Sequence, residues 1–276
     1  HICPRWHRTF QDRALPGTGS GSRIKSLLAP NTQFRWPEAS PGAGARADRL
    51  NRRFANRSAV EVVRFSLTEL GRVAMVSSFG ADSVVLLHMV SLIDRAAPVW
   101  FIDTEMLFPE TLTYQQDVAA QLGLSGVMIL RAGDITQHDP RRDLHKSDTN
   151  ACCALRKTRP LKTALGAFDG WITGRKRFQS GTRASLSVFE PEAGTQRLKI
   201  NPLAHWRTQD VQTYIAQNDL PRHPLVAQGY PSIGCAPCTS PVNPGEDPRA
   251  GRWRNSEKEE CGIHFVDGKL VRNAPE

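Results

Sequence analysis

Residues 73–90 read VAMVSSFGADSVVLLHMV, and this stretch decides the fold. A short apolar run at 73–76 is followed by small and polar residues at 77–83, and then by an apolar helical segment that starts at Val84. A strand, a small-residue turn and a helix in this order place backbone N–H groups and a helix N-terminus against a phosphate. The turn has neither a Walker A ending nor a dinucleotide-binding glycine pattern, so alone it is more typical of a plain turn between strand and helix.

The same alternation of strand and helix continues along the chain. Further buried strands are predicted at 99–102, 127–130, 171–174 and 198–203, and helices at 109–122 and 211–218. Strands separated by helices indicate an α/β protein with a doubly wound, mainly parallel sheet. Ligands of such sheets bind at the carboxyl ends of the strands.

The positive charge of the chain is concentrated near its beginning. The formal net charge is +9, but residues 1–57 carry +8 of it, so the rest of the chain is close to neutral. A local basic patch on a near-neutral body suits a small anion and argues against a nucleic-acid partner. No apolar run reaches the length of about eighteen residues that a membrane helix needs, so we expect no membrane span.

The sequence predicts one α/β domain at 48–245 with an appendage at each end. Residues 1–47, rich in Gly, Pro, Ser and Arg, are predicted to be a disordered or loosely ordered basic leader, and a truncated leader is favoured over an organelle transit peptide. Residues 246–276 are predicted to be a mobile, irregular C-terminal segment. Six cysteines in 276 residues are too few for a disulfide scaffold, which favours metal or redox chemistry in the cytoplasm.

Four of the cysteines form two pairs in distant parts of the chain. Cys152 and Cys153 are adjacent, whereas Cys235 and Cys238 form a Cys-x-x-Cys turn. Together they supply the four thiolates that a structural zinc or an iron–sulfur cluster needs. Zinc sites with four cysteines usually use two Cys-x-x-Cys turns, whereas a cubane offers separate irons to adjacent ligands. The cluster is therefore favoured over zinc.

A basic loop follows the predicted strand at 171–174. Residues 175–183 contain four Arg or Lys, which is usual for a solvated face, but which at the carboxyl end of a buried strand favours contact with an anion. Two further arginines, Arg249 and Arg252, occur late in the chain. With the turn at 77–83, these elements predict a site for an anionic nucleotide.

Six motifs occur in a consistent order over residues 48–266. They are SFG at 78–80, WFIDT at 100–104, CCxxRK at 152–157, GRKRFQS at 174–180, GYxSIGCxxCT at 229–239 and ECGIH at 260–264. This set resembles the assimilatory adenylyl-sulfate reductases, which belong with the phosphoadenylyl-sulfate reductases. The resemblance implies an adenine-nucleotide α-hydrolase-like (PP-loop) fold, and reduction of adenosine 5′-phosphosulfate to sulfite and AMP in sulfate assimilation and cysteine biosynthesis.

The resemblance also implies roles for individual residues. Cys261 would be the nucleophile, forming an S-sulfocysteine that thioredoxin resolves, with Lys157 and His264 as catalytic cations. A [4Fe–4S] cluster would be held by Cys152, Cys153, Cys235 and Cys238. The implied substrate-binding residues are Ser78, Phe79, Gly80, Gly174, Arg183, Arg249 and Arg252.

The cluster is expected to act as an anchor. The nucleophile and thioredoxin already supply both electrons, so we expect the cluster to tie the late loop to the domain and to orient Lys157 towards the sulfate. An ordinary thiol near a mobile C-terminus is the simpler interpretation of Cys261, and the ECGIH motif argues against it.

Several alternatives remain open. The 3′-phosphorylated sulfonucleotide is the second candidate substrate, because the loops are similar, although enzymes that use it generally lack the two cysteine pairs. A PP-loop enzyme that modifies tRNA would share the fold, but it would need a lysine where this chain has Ala81. A zinc-stabilised nucleic-acid-binding module would explain the thiols and the basic N-terminus, but not the near-neutral body. The sequence does not decide whether the chain forms a homo-oligomer.

Overall fold

The first helix of the described chain begins within the range expected to be loosely ordered. The computed structural model describes residues 42–179, 181–254 and 258. Helix α1 spans Ala43–Arg53 and buries Ala47 and Leu50. Its Asn51 amide donates to the carbonyl oxygen of Phe189 at 2.8 Å and accepts the N–H of Phe189 at 2.9 Å. Helix α1 therefore begins inside the range 1–47, with Ala43 and Ala47 buried.

A single mainly parallel sheet forms the centre of the described residues. Its strands are β1 Val73–Ser77, β2 Val99–Ile102, β3 Val127–Leu130, β4 Gly170–Ile172, β5 Phe189–Pro191 and β6 Leu198–Ile200. The strand order is β3-β2-β1-β4-β6-β5, and every pair of neighbours is parallel except β5 and β6. The predicted doubly wound α/β fold is confirmed.

Strand β1 is buried along its whole length, which explains its continuous apolar run. Val73 and Met75 face the larger hydrophobic core. Ala74 and Val76 face a smaller core on the other side of the sheet, where they pack with Trp171. Helices on both faces therefore hold the end of β1, and the turn that follows it, in a fixed position.

The helices mostly agree with the prediction. After α1 they are α2 Ala59–Thr68, α3 Ser83–Ile93, α4 Pro109–Leu122, α5 Ile135–His138, α6 Leu144–Ser147, α7 Thr149–Cys153, α8 Arg159–Ala164 and α9 Thr208–Gln217. Helix α4 has the predicted bounds, with proline in its first turn and Gly123 at φ 66° as its C-cap. Helix α9 begins at Thr208, earlier than the predicted 211. The reason is that the Asp210 side chain accepts the backbone N–H of Arg207 at 2.7 Å, so Arg207 is the N-cap.

The irregular region after residue 220 contains short structures, and one bridge joins it to the segment between β2 and α4. Two 3₁₀ turns occur there, Pro224–Gln228 and Ala236–Cys238. Isolated antiparallel bridges join Leu107 to Cys235 and Thr239 to Arg252. Among the described residues, no helix has the length and apolar character needed to cross a membrane.

Candidate active site

A cavity of about 390 Å³, called here the larger cavity, opens at the carboxyl ends of β1 and β4. These neighbouring strands are the point at which the strand order reverses, since the chain passes from β1 to β2 and β3 on one side and reaches β6 on the other. Ligands of doubly wound sheets bind at such a point. Ser78 and Gly80 line the cavity after β1, and Thr173 and Gly174 line it after β4. Its volume is within the range of small-molecule sites.

The turn after β1 contributes Ser78 and Gly80 to the larger cavity, but not Phe79. The Phe79 ring is fully buried and packs edge-on to Phe101 at 5.2 Å between ring centroids. Its backbone has a φ of 48°, and its N–H donates to the Ser77 hydroxyl at 3.1 Å. The Phe79 side chain therefore anchors the turn by packing into the core, and the expected contact of residues 78–80 with the nucleotide through backbone and hydroxyl groups stays a prediction.

Three cations of the larger cavity form a positive wall: Lys176, Arg183 and Arg249. Lys176 Nζ donates to Asp82 Oδ2 at 3.0 Å and to the carbonyl oxygen of Gly174 at 3.3 Å. Burial lowers the pKa of Lys176; the Asp82 carboxylate raises it, and the charges of Arg183 and Arg249 lower it again. A wall with this excess of positive charge favours an anionic ligand.

Two of the four basic residues in the loop 175–183 stabilise the loop itself. Arg175 pairs with Glu190 on β5. Arg177 Nε donates to the carbonyl oxygen of Leu186 at 2.8 Å. Arg175 lines the larger cavity all the same, together with Lys176 and Arg183, whereas Arg177 is not among its lining residues.

The two distant cysteine pairs line one small cavity beside the larger one, called here the thiol cavity. All four cysteines are present as thiols. Burial raises the pKa of Cys152 to about 11, and the thiol of Cys153 raises it as well. Among the described residues, no three His, Cys, Asp or Glu side chains are spaced to hold a single metal ion.

Local backbone features place the thiols. Cys152 and Cys153 end α7, whose N-cap Asp148 accepts the N–H of Ala151 at 2.8 Å. A π-helical turn, Ala154–Thr158, follows directly, and such turns often occur at functional sites. The π turn carries Lys157, which lines the thiol cavity.

A buried ion pair fixes the π turn. Arg156 is 1 % exposed; its guanidinium donates to Asp139 Oδ2 at 2.7 Å and to the carbonyl oxygen of Thr104 at 2.8 Å. The Thr104 hydroxyl lies 3.2 Å from Cys235 Sγ. Thr104 therefore connects the two cysteine segments.

Lys157, Arg252 and Trp253 line both cavities and form the shared wall between them. Burial raises the pKa of Cys235, but the charge and hydrogen bond of Lys157, the Thr104 hydroxyl and Arg252 together hold it below its ordinary value. A cation that contacts a thiol on one side and faces an anion site on the other can couple the two cavities.

The shared wall depends on a glycine. The Arg252 guanidinium lies 4.6 Å above the Trp253 ring and donates to the carbonyl oxygen of Ile233 at 3.3 Å. A Cβ at Gly234 would come within 2.3 Å of that guanidinium. Only glycine at 234 allows Arg252 to lie in this position.

Four buried nitrogen atoms around the thiol cavity have no hydrogen-bond partner among the described residues. They are His145 Nδ1, Arg156 Nε, Arg252 Nε and Trp253 Nε1. The arginine and tryptophan nitrogens can only donate. An unpaired buried donor costs about 1–3 kcal/mol, and the residues that carry these atoms all line the thiol cavity.

Most of the expected site residues come together, but two cannot be placed. Cys261 and His264 lie outside the described residues. Lys157, Arg183, Arg249 and Arg252 all line the larger cavity. Lys176 also lines this cavity, although it was not among the predicted site residues. Its position in the basic loop 175–183 is the feature of the sequence that points to it.

Comparison with known proteins gives a consistent result. A family model described as the phosphoadenosine phosphosulfate reductase domain matches residues 72–241. A Mesorhizobium japonicum protein named adenosine 5′-phosphosulfate reductase is 48 % identical over 243 residues, covering 87 % of this chain and 95 % of the relative. A protein of the same name from Chelativorans sp. is 46 % identical over 230 residues, covering 82 % and 93 %. The crystal structure of a phosphoadenylyl-sulfate reductase from Candida auris, in a phosphate complex, superposes with a TM-score of 0.63 at 26 % identity, covering 76 % of this chain and 100 % of the other.

Proposed function

The chain belongs to the phosphoadenosine phosphosulfate reductase domain family, and we propose that it reduces adenosine 5′-phosphosulfate to sulfite and AMP in sulfate assimilation and cysteine biosynthesis. The observation that carries the proposal is the shared wall. An anion cavity and a cavity of four thiols meet at Lys157 and Arg252. The reductant would be a protein dithiol such as thioredoxin, and the reaction would take place in the cytoplasm.

The residues of the thiol cavity fit a [4Fe–4S] cluster. Four thiols match its usual ligand count. The unpaired N–H donors of Arg156, Arg252 and Trp253 suit sulfur atoms as acceptors. A cubane offers its own sulfide atoms as well as the cysteine sulfurs, whereas a single zinc ion offers only the sulfurs of its protein ligands. A bound cluster would join α7 to the late loop and supply a negatively charged surface beside Lys157.

The larger cavity would bind the sulfonucleotide by its charge. Ser78 and Gly80 offer hydroxyl and backbone groups at the start of α3, which favours a phosphate. Lys176, Arg183 and Arg249 would meet the phosphate and sulfate oxygens. Lys157 and Arg252 would hold the sulfate end against the shared wall, close to the thiol cavity.

The chemical steps need one nucleophilic thiol, and Cys261 is the residue proposed for it. Its thiolate would attack the sulfate sulfur; the bond from that sulfur to the bridging oxygen breaks, and AMP leaves with the electron pair. A thioredoxin thiolate would then attack Cys261 Sγ, releasing sulfite and forming a mixed disulfide. The second thioredoxin thiol resolves this disulfide and restores the Cys261 thiol. The cations of the shared wall would reduce the repulsion between the thiolate and the anionic sulfate.

The test is a sulfite-release assay in which both sulfonucleotides compete, with thioredoxin as reductant and without ATP. We expect brown protein with about four irons per chain and a higher kcat/KM for the form without a 3′-phosphate. Preference for the 3′-phosphorylated form would favour the second candidate substrate. Colourless protein with one zinc per chain, and no sulfite from either nucleotide, would refute the proposal.

A further inference from the structure

His145 lies on the short helix α6 and lines the thiol cavity. Its carbonyl oxygen accepts the hydroxyl of Thr149 at 3.1 Å, which ties α6 to the start of α7. The Nδ1 atom of the ring is buried, and no described residue forms a hydrogen bond with it. A residue that lines this cavity thus carries a buried polar atom with no hydrogen-bond partner among the described residues.

The chemistry of the cavity limits the possible partner of Nδ1. The other unpaired atoms here, on Arg156, Arg252 and Trp253, are donors, and they would repel a further positive group. A neutral imidazole can place its proton on either ring nitrogen. Thiolate or sulfide sulfur accepts hydrogen bonds, so sulfur in the cavity would select the tautomer with the proton on Nδ1.

We propose that His145 donates an Nδ1–H hydrogen bond to a sulfur atom of the iron–sulfur group held by the four cysteines, as a positioning residue and not as a ligand. The inference rests on the proposed function, because it requires that group. Four thiolates already satisfy the four metal corners of a cubane, so no corner is left for an imidazole. Hydrogen bonds to cluster sulfurs withdraw electron density from them and stabilise the cluster.

Asparagine and glutamine, substituted for His145, distinguish the proposed hydrogen bond from a simple packing role of the ring. The amide nitrogen of asparagine reaches about as far as Nδ1 of histidine, whereas that of glutamine reaches about as far as Nε2. We therefore expect His145→Asn to keep the hydrogen bond and His145→Gln to lose it. His145→Leu removes the donor altogether. His138→Leu is the control, because His138 lies on α5, outside the residues that line the thiol cavity.

The measurements are the visible sulfur-to-iron charge-transfer band, the Fe–S(Cys) stretching frequencies by resonance Raman, and the rate of iron release to a chelator, all on the full chain. In the Gln and Leu variants we expect the band to move to lower energy, the Fe–S(Cys) frequencies to rise and iron release to quicken, since losing such a partner typically lowers metal affinity about 10- to 100-fold. The Asn variant and the His138 control should match the wild type.

The outcomes also separate this inference from the proposed function. Wild-type protein without iron would refute the function, and the inference with it. Iron-containing wild-type protein whose Gln, Leu and Asn variants all match it would overturn the inference alone. Equal loss of iron in all three variants, Asn included, would also overturn it, because packing of the ring would then matter more than a donor at Nδ1.

Discussion

Lys176 Nζ lies 3.0 Å from Asp82 Oδ2, and this pair joins the loop after β4 to the turn after β1. The ammonium is almost fully buried, whereas the Asp82 side chain is 35 % exposed. The two strand ends that define the larger cavity are therefore held together by a cation that also faces the cavity. That residue connects the fold to the proposed chemistry.

Replacing Lys176 with methionine should weaken sulfonucleotide binding and leave the chain folded. The variant keeps the length of the side chain but removes its charge, and Asp82 can still be hydrated. A charged hydrogen bond contributes about 1.5–3 kcal/mol, so we expect a loss of roughly 10- to 100-fold in kcat/KM for sulfite release. Lys162→Met is the control, since Lys162 lies on α8 and is exposed. A Lys176→Met enzyme as active as this control would show that Lys176 does not meet the substrate.

Replacing Asp139 with asparagine should destabilise the fold. Both side chains of the Arg156–Asp139 pair are 1 % exposed. Removing one partner of a buried ion pair typically costs about 3–5 kcal/mol. Urea unfolding should show such a loss, whereas Asp134→Asn, at an exposed ion pair, should change stability by less than about 1 kcal/mol.

The Asp139 pair also predicts acid sensitivity. Burial raises the pKa of Asp139, but hydrogen bonds from Arg156 and from the N–H groups of Leu144 and Asp143 hold it below its ordinary value. A carboxylate whose pKa is lower in the folded protein than in the unfolded chain stabilises the fold at pH values above its unfolded pKa. This contribution is lost as the pH falls through the pKa of the folded state. The stability difference between wild type and Asp139→Asn should therefore shrink below pH 4 or so. A difference that stays constant down to acid unfolding would contradict this.

Burial of His223 should lower the free energy of unfolding as the pH falls, over a higher pH range than for Asp139. Its Nδ1 accepts the N–H of Leu225 at 3.2 Å, so Nε2 carries the proton and donates to the Thr111 hydroxyl at 3.0 Å. Burial lowers the pKa of His223 from 6.5 to about 4. The unfolded chain therefore binds a proton first, and stability is lost as the pH falls from about 6.5 to about 4. The unfolding free energy of wild type minus that of His223→Asn should decrease only within this range; a flat difference there would contradict the assignment.

Replacing Gly234 with alanine should disturb the shared wall through Arg252. The added Cβ would displace the guanidinium, so we expect a loss of sulfite release. Gly166→Ala, where a Cβ meets nothing within 4 Å, should be neutral. In an Arg252→Ala background the Gly234→Ala change should add little, because the clash is gone. Additive losses in the double variant would point to another cause.

The sequence predicts those parts of this molecule that depend on local pattern. Strand β1 is a continuous apolar run because both its faces are buried, and the helix α4 carries its own start and stop residues. Strand β5 has three residues and ends in a proline, so it has too little pattern to be recognised. It pairs with β6, and Asn51 of α1 forms hydrogen bonds with the backbone of its Phe189.

The site is predictable to the extent that motifs carry it. The paired cysteines and the late arginines are recognisable in the sequence, but the pairing of Lys176 with Asp82 depends on strand order, and the position of His145 in the thiol cavity depends on the packing of α6. Phe79 shows the opposite case, since a residue within a motif faces the core because its φ is 48°. Burial and backbone handedness are properties of the folded chain and leave no local signal.

The proposed mechanism requires that the sulfo group is transferred to Cys261 before any reductant acts. Iron-containing wild-type protein would be mixed with adenosine 5′-phosphosulfate carrying labelled sulfur, without thioredoxin, and then digested for mass spectrometry, with Cys261→Ser in parallel. We expect one labelled sulfo group per chain on the peptide that contains Cys261, one AMP released, and no label on the variant. AMP release without label on Cys261, or equal labelling of the Cys261→Ser protein, would contradict it.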